Sequence, residues 1–91
     1  MTAPSISIAM ATYNGARYLR QQLDSLARQT YLPAELVVTD DMSTDGTEAV
    51  VMEFAATAPF PVRFFRNEQR LGYRHNFTRA VSYCTSDLIA F

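Results

Sequence analysis

Two adjacent carboxylates, Asp40 and Asp41, directly follow a short apolar and β-branched run at residues 36–39. That run predicts a buried strand, and open α/β sheets hold ligands where such strands end. A carboxylate at this corner can accept the imide N–H of uracil or thymine in a charge-assisted hydrogen bond. It rejects cytosine, which offers only a lone pair at that ring nitrogen. The alternative is a turn that caps the next helix, but Asp45 already suits that purpose, so capping explains one carboxylate better than both.

A second polar corner, formed by Thr12, Tyr13 and Asn14, ends the first predicted strand. Tyr13 is either a half-buried aromatic residue or a surface against which a base packs, and its position beside the acidic corner favours packing against a base. Asn14 is predicted to be the N-cap of the helix that follows, because asparagine satisfies free helix N–H groups well.

Four arginines surround the third loop and the third helix. They are Arg66, Arg70, Arg74 and Arg79. We expect one or two of those near Gly72 to contact a diphosphate, and Arg74 is included in the predicted site, although spacing alone does not choose among them. His75 lacks a second His or Cys partner, so no metal site is expected there.

The elements that must position these residues alternate between strand and helix. Strands are predicted at 6–11, 36–39, 62–65 and 88–91, and helices at 16–29, 47–57 and 73–84. This β-α-β-α-β-α-β order predicts an α/β, Rossmann-like open sheet of parallel strands joined by right-handed crossovers. The expected strand order is 3-2-1-4, because it brings Tyr13 and Asp41 to the same sheet edge.

Composition limits what the chain can be. Its 91 residues allow one small domain, and 48% hydrophobic with 19% charged residues is typical of a globular protein. A formal net charge of −1 gives no field that would recruit nucleic acid. The single Cys84 fits a reducing compartment, and we expect neither a signal peptide nor a membrane helix. The last predicted strand stops at Phe91 without a turn, so the chain is expected to be part of a longer protein.

The sequence does not match two other kinds of motif that bind phosphate or nucleotides. The segment at 43–47 is similar to the loop of haloacid-dehalogenase-type phosphatases, but Ser43 stands where the nucleophilic carboxylate is needed. No Gly-rich phosphate-binding loop of the P-loop or dinucleotide type is present in the sequence.

Four segments taken together resemble the amino-terminal half of family 2 glycosyltransferases. They are residues 6–15, 25–30, 35–47 and 67–77, and Ala80 follows the last of them. The leucine-glycine loop that runs into Asn76 and Phe77 is similar to bacterial rhamnosyltransferase-like members.

The resemblance implies a GT-A fold, a UDP- or dTDP-sugar donor, and an inverting transfer helped by Mg²⁺ or Mn²⁺. It also implies that Asp41 binds the base imide, that Asp40 shapes the loop, and that Tyr13 packs on the base between Thr12 and Asn14. Met42 departs from the glycine common at its position, and His75 stands where many members carry Arg or Lys.

In this family the metal-binding Asp-x-Asp motif and the catalytic base come later, so both would follow Phe91. No catalytic or metal-binding residue is therefore expected within this chain. Residues 1–91 are predicted to be the nucleotide-sugar-binding part of a single GT-A domain and to be inactive alone. The full protein would glycosylate a saccharide or lipid-linked acceptor in polysaccharide biosynthesis, in the cytoplasm or as a peripheral protein at the inner face of the cell membrane. The rival hypothesis is a non-catalytic α/β module that binds a nucleotide or a partner.

Overall fold

The structure is a computed structural model that describes residues 4–90. These residues form four strands and three helices in alternation. The strands are β1 (Ile6–Thr12), β2 (Glu35–Asp40), β3 (Val62–Arg66) and β4 (Leu88–Ala90), and the helices are α1 (Ala16–Ala27), α2 (Thr47–Ala55) and α3 (Tyr73–Tyr83). All pairings are parallel, and the order is β3-β2-β1-β4, which confirms the predicted topology.

Strand β2 lies in the interior of the sheet, and every residue of it is buried. Leu36 and Val38 pack on one face against α1 and α2, where Leu23 and Phe54 belong to the same core cluster. Because side chains alternate along a strand, Thr39 points to the other face, and its hydroxyl donates to a carbonyl of α3 at 2.9 Å. Coverage on both faces explains why this strand is apolar without alternation.

The predicted element ends differ from the observed ones by one or two residues. Helix α1 ends at Ala27 and α2 at Ala55, each two residues before the predicted end. Strand β4 is described as far as Ala90, and Phe91 of the predicted strand lies outside the described residues. No helix within residues 4–90 is long and apolar enough to cross a membrane.

The prediction that Asn14 caps α1 is wrong. Gly15 is the N-cap residue, and Asn14 has a left-handed backbone with φ of 49°. Asparagine suits a cap and a left-handed turn for related reasons, so local sequence does not separate the two. The carboxylate of Asp45 binds the first turns of two helices, because it accepts from the Thr47 N–H at 2.9 Å and from the Ala16 N–H at 3.2 Å.

A buried carboxylate, Glu35, ties the amino-terminal ends of the strands together. It accepts hydrogen bonds from the Ser7 hydroxyl at 2.6 Å, the Thr85 N–H at 2.7 Å and Arg63 at 3.1 Å. Burial alone would raise the pKa of Glu35, but these hydrogen bonds together lower that pKa to about 2. This network lies at the edge of the sheet opposite to the acidic corner.

Candidate functional site

The predicted site lies at the carboxyl ends of β1 and β2. The two strands are in register so that Thr12 stands opposite Asp40, and the Asp41 N–H donates to the Thr12 carbonyl at 2.9 Å. The structure therefore brings Thr12, Tyr13, Asp40 and Asp41 to one edge of the sheet, as expected from parallel strands.

Asp40 is completely buried, and its carboxylate organises the loop that follows β2. It accepts from the Thr12 hydroxyl at 2.7 Å, from the Ser43 N–H at 2.8 Å and from Arg66 at 3.3 Å. The loop also holds Met42 in a left-handed conformation with φ of 64°. Through these hydrogen bonds Asp40 shapes the loop, and the Thr12 hydroxyl is directed at Asp40 and away from solvent.

Asp41 is 2% exposed, and its carboxylate anchors the loop that precedes α3. Oδ1 accepts from the Leu71 N–H at 2.7 Å and from Asn67 Nδ2 at 3.1 Å. Oδ2 accepts from the Gly72 N–H at 3.0 Å and from Arg70 Nε at 3.1 Å. Burial by itself would raise the pKa of Asp41, but these four donors lower that pKa to about 2, so the group is an anion at neutral pH.

Tyr13 is half-exposed beside this anion. The guanidinium carbon of Arg70 lies 3.7 Å from the centre of the Tyr13 ring, within the range of a cation–π contact. Arg70 thus joins the two residues predicted to recognise a base. Sequence reasoning placed Arg70 among four candidate arginines but did not single it out.

Asn14 links the two corners. Its side-chain oxygen accepts from the Thr44 N–H at 2.8 Å, and its own N–H donates to the Ser43 hydroxyl at 2.7 Å. The residue therefore fixes the loop after β1 against the loop after β2. This contact explains an asparagine here without the capping role that local sequence predicted.

Asn76 is a buried residue of this site that sequence reasoning did not single out. Its Nδ2 donates to the carbonyls of Thr12 at 3.3 Å and Thr39 at 3.1 Å, and its Oδ1 accepts from Asn67 at 2.9 Å. The side chain thus clamps the start of α3 onto the ends of β1 and β2. The available signal was the family-like segment 67–77, which contains both Asn67 and Asn76.

The contact of Arg74 with a diphosphate stays a prediction. Arg74 lies exposed in the first turn of α3, and its described contacts do not tie its side chain to the acidic corner. The neighbouring arginines do reach polar partners of the site. Arg70 pairs with Asp41, Arg66 pairs with Asp40, and Arg79 donates to Asn67 at 2.6 Å.

A cavity of about 410 Å³ opens beside these groups. Its lining includes Tyr13, Asp41 and Arg70, together with Tyr18 of α1 and Tyr73 of α3. A concave space with aromatic side chains and one buried anion suits a flat, partly apolar ligand that presents an N–H group.

The described residues do not fit a divalent metal. No group of three or more His, Cys, Asp or Glu side chains that could hold an ion occurs within residues 4–90. The oxygens of Asp40 and Asp41 already accept from protein donors.

Comparison with known proteins identifies the class. Residues 7–91 match the family model for glycosyl transferase family 2, and the chain belongs to that family. The abequosyltransferase RfbV of Salmonella typhimurium is 36% identical over 84 residues, which are 90% of this chain and 25% of that protein. The chain spans about a quarter to a third of the length of the curated relatives it matches first.

Solved structures agree with this fold. The mannosyltransferase PcManGT from Pyrobaculum calidifontis, in complex with GDP-Man and Mn²⁺, is 30% identical with a TM-score of 0.86, over 98% of this chain and 27% of that chain. S. aureus TarS 1-349 in complex with UDP-GlcNAc is 27% identical with a TM-score of 0.84, over 93% of this chain and 25% of that chain. The chain therefore has the fold of the amino-terminal region of GT-A glycosyltransferases.

Proposed function

We propose that this chain binds the nucleotide of a nucleotide-diphosphate sugar and is the amino-terminal part of a glycosyltransferase. The observation that carries the proposal is the buried, ionised Asp41 beside the half-exposed ring of Tyr13, at the edge of a cavity. A fixed anion next to an aromatic face matches a base that carries a ring N–H. Membership of the family supports the same assignment.

The proposed roles follow from the contacts. Asp41 accepts the base N–H, and Tyr13 packs against the base. Asp40, Thr12 and Asn14 hold the two loops in place, as their hydrogen bonds indicate. Arg74, exposed at the first turn of α3, is the proposed contact of the diphosphate, since a guanidinium binds phosphate oxygens well.

The proposed bases are uracil and thymine, because each presents one imide N–H to a carboxylate. Guanine also carries a ring N–H, and PcManGT was solved with GDP-Man, so guanine is the competing base. Cytosine lacks the donor and leaves Asp41 facing a lone pair, which a buried anion disfavours strongly.

The full protein is proposed to transfer the sugar to a saccharide or lipid-linked acceptor in polysaccharide biosynthesis. It would act in the cytoplasm or at the inner face of the membrane. The divalent metal, Mg²⁺ or Mn²⁺, would neutralise the charge of the leaving diphosphate when bound. Its ligands and the catalytic base are proposed to lie outside residues 1–91. Sequencing the gene past the codon of Phe91 checks this, because an Asp-x-Asp motif within a few codons supports an enzyme and a stop codon supports a binding module.

Calorimetric titration of the full-length protein with UDP, dTDP, GDP and CDP tests the binding proposal. UDP and dTDP should bind at least about tenfold more tightly than CDP, which corresponds to the loss of one charge-assisted hydrogen bond. Tyr13→Ala should weaken the binding of all four nucleotides. Asp87→Ala, which removes an exposed carboxylate near β4, is the control and should bind them as the parent does. Equal binding of UDP and CDP contradicts base recognition by Asp41.

A further inference from the structure

We propose that Arg70 is a built-in competitor of the nucleobase, which the base must displace from Asp41 and Tyr13. This inference rests on the proposed function, since it assigns a second state to the same site. It concerns how the site discriminates among ligands, because a base binds only if its contacts with Asp41 and Tyr13 are more favourable than those of Arg70.

The first observation is that the carboxylate of Asp41 is saturated. A carboxylate has about four lone-pair positions, and four donors occupy them here, two on each oxygen. A base N–H can therefore reach Asp41 only after one of the present donors leaves. Binding at this corner is an exchange of donors, because no acceptor position stands open.

The second observation is that the four donors differ in mobility. Two are backbone N–H groups, of Leu71 and Gly72, and a third belongs to the buried side chain of Asn67, which also binds Asn76 and Arg79. The fourth is the side chain of Arg70, which is 53% exposed. A long exposed side chain can rotate into water without breaking the loop, so Arg70 is the donor that leaves.

The third observation is that Arg70 occupies the aromatic surface as well. Its guanidinium carbon is 3.7 Å from the centre of the Tyr13 ring, which is a stacking distance. A planar guanidinium that donates an N–H to a carboxylate while it stacks on a ring imitates what a base would do there. One side chain thus fills both halves of the proposed base subsite.

Removal of the competitor should therefore strengthen binding. With uridine as a neutral probe, Arg70→Ala should bind about three- to tenfold more tightly than the parent, the combined worth of an exposed cation–π contact and an exposed ion pair. Uridine carries no phosphate, so its affinity is not altered by any contact of arginine with a diphosphate.

NMR titration of the full-length protein with uridine is the test. Arg28→Ala, which removes an exposed arginine at the end of α1, is the matched control and should bind uridine as the parent does. Arg70→Lys should fall between the parent and Arg70→Ala, because lysine keeps the charge but loses the planar group. In the parent, the Arg70 Nε–H signal should shift to its free value as uridine saturates the site.

Each result decides the matter. Tighter uridine binding in Arg70→Ala, with the Nε–H signal released in the parent, supports competition. Unchanged or weaker binding in Arg70→Ala overturns it and makes Arg70 a bystander or a ligand of the base, while the proposed function stands. If neither the parent nor Arg70→Ala binds uridine or UDP, the proposed function is overturned as well.

Discussion

Glu35→Gln should destabilise the chain strongly at neutral pH, although it lies far from the proposed base site. The carboxylate is buried and accepts from Ser7, Thr85 and Arg63. Its pKa falls from 4.5 to about 2 on folding. At about 1.4 kcal/mol per unit, that difference contributes about 3 kcal/mol at pH 7. Such a loss is a large share of the stability of a small domain.

The sign of the pH dependence follows from the lowered pKa. A carboxyl whose folded pKa lies below its unfolded value stabilises the fold fully above pH about 4.5. This contribution disappears as the pH falls from about 4.5 towards 2. The parent should therefore lose stability over that interval, and Glu35→Gln should lose less, because it has no carboxyl to protonate at that position.

Urea unfolding followed by circular dichroism at pH 7, 5, 4 and 3 measures both effects. Glu53→Gln is the control, because Glu53 is exposed in a surface pair with Arg20 and should change stability by at most about 1 kcal/mol. A Glu35→Gln variant as stable as the parent at pH 7 would refute the reasoning. So would a parent whose free energy of unfolding stays constant from pH 5 to pH 3.

Three further outcomes are expected. Asn76→Ala should lower the free energy of unfolding in urea by about 2–3 kcal/mol, because the buried carbonyls of Thr12 and Thr39 lose their donor. A decrease below about 0.5 kcal/mol would contradict the role of Asn76 in holding α3 against β1 and β2. Gly72→Ala should lower the free energy of unfolding by about 1–3 kcal/mol and weaken UDP binding, because Gly72 has a φ of 84° that alanine adopts only with strain. An added Cβ would meet no atom within 4 Å, so the effect would come from the backbone alone. An unchanged melting temperature and unchanged UDP affinity in calorimetry would contradict this prediction. The 91-residue chain should be marginally stable or self-associate, because a cavity of about 540 Å³ beside β1 is lined largely by apolar side chains, among them Ile8, Met10 and Tyr73. A sharp melt, together with a monomer in sedimentation at every concentration, would contradict this prediction.

The sheet and its acidic corner could be predicted from the sequence. The unbroken apolar run of β2 required cover on both faces, and alternation of strands and helices required parallel pairing. These constraints bring Thr12, Asp40 and Asp41 to the same edge of the sheet, and the register seen in the structure sets Asp40 opposite Thr12.

Contacts between distant polar residues could not be predicted in the same way. Asn76 lies beside the apolar stripe of α3, and periodicity does not tell that it is buried with three partners. Arg70 and Arg74 are close together in the sequence, and only the structure shows that Arg70 pairs with Asp41 while Arg74 lies exposed in the first turn of α3. Glu35 reads as an ordinary strand start, since its donors come from Ser7 and Thr85 far along the chain.

The most direct test of base recognition by Asp41 compares Asp41→Asn with Asp40→Asn in a calorimetric titration with UDP. Asp41→Asn loses the charge of the acceptor, about 1–2 kcal/mol, and should bind UDP roughly five- to thirtyfold more weakly. Asp40→Asn should change the UDP affinity of the folded protein less, since the proposed role of Asp40 is to shape the loop. Asp41→Ala should weaken UDP further than Asp41→Asn. If Asp41→Ala binds UDP as tightly as the parent, with an unchanged circular dichroism spectrum, Asp41 does not recognise the base.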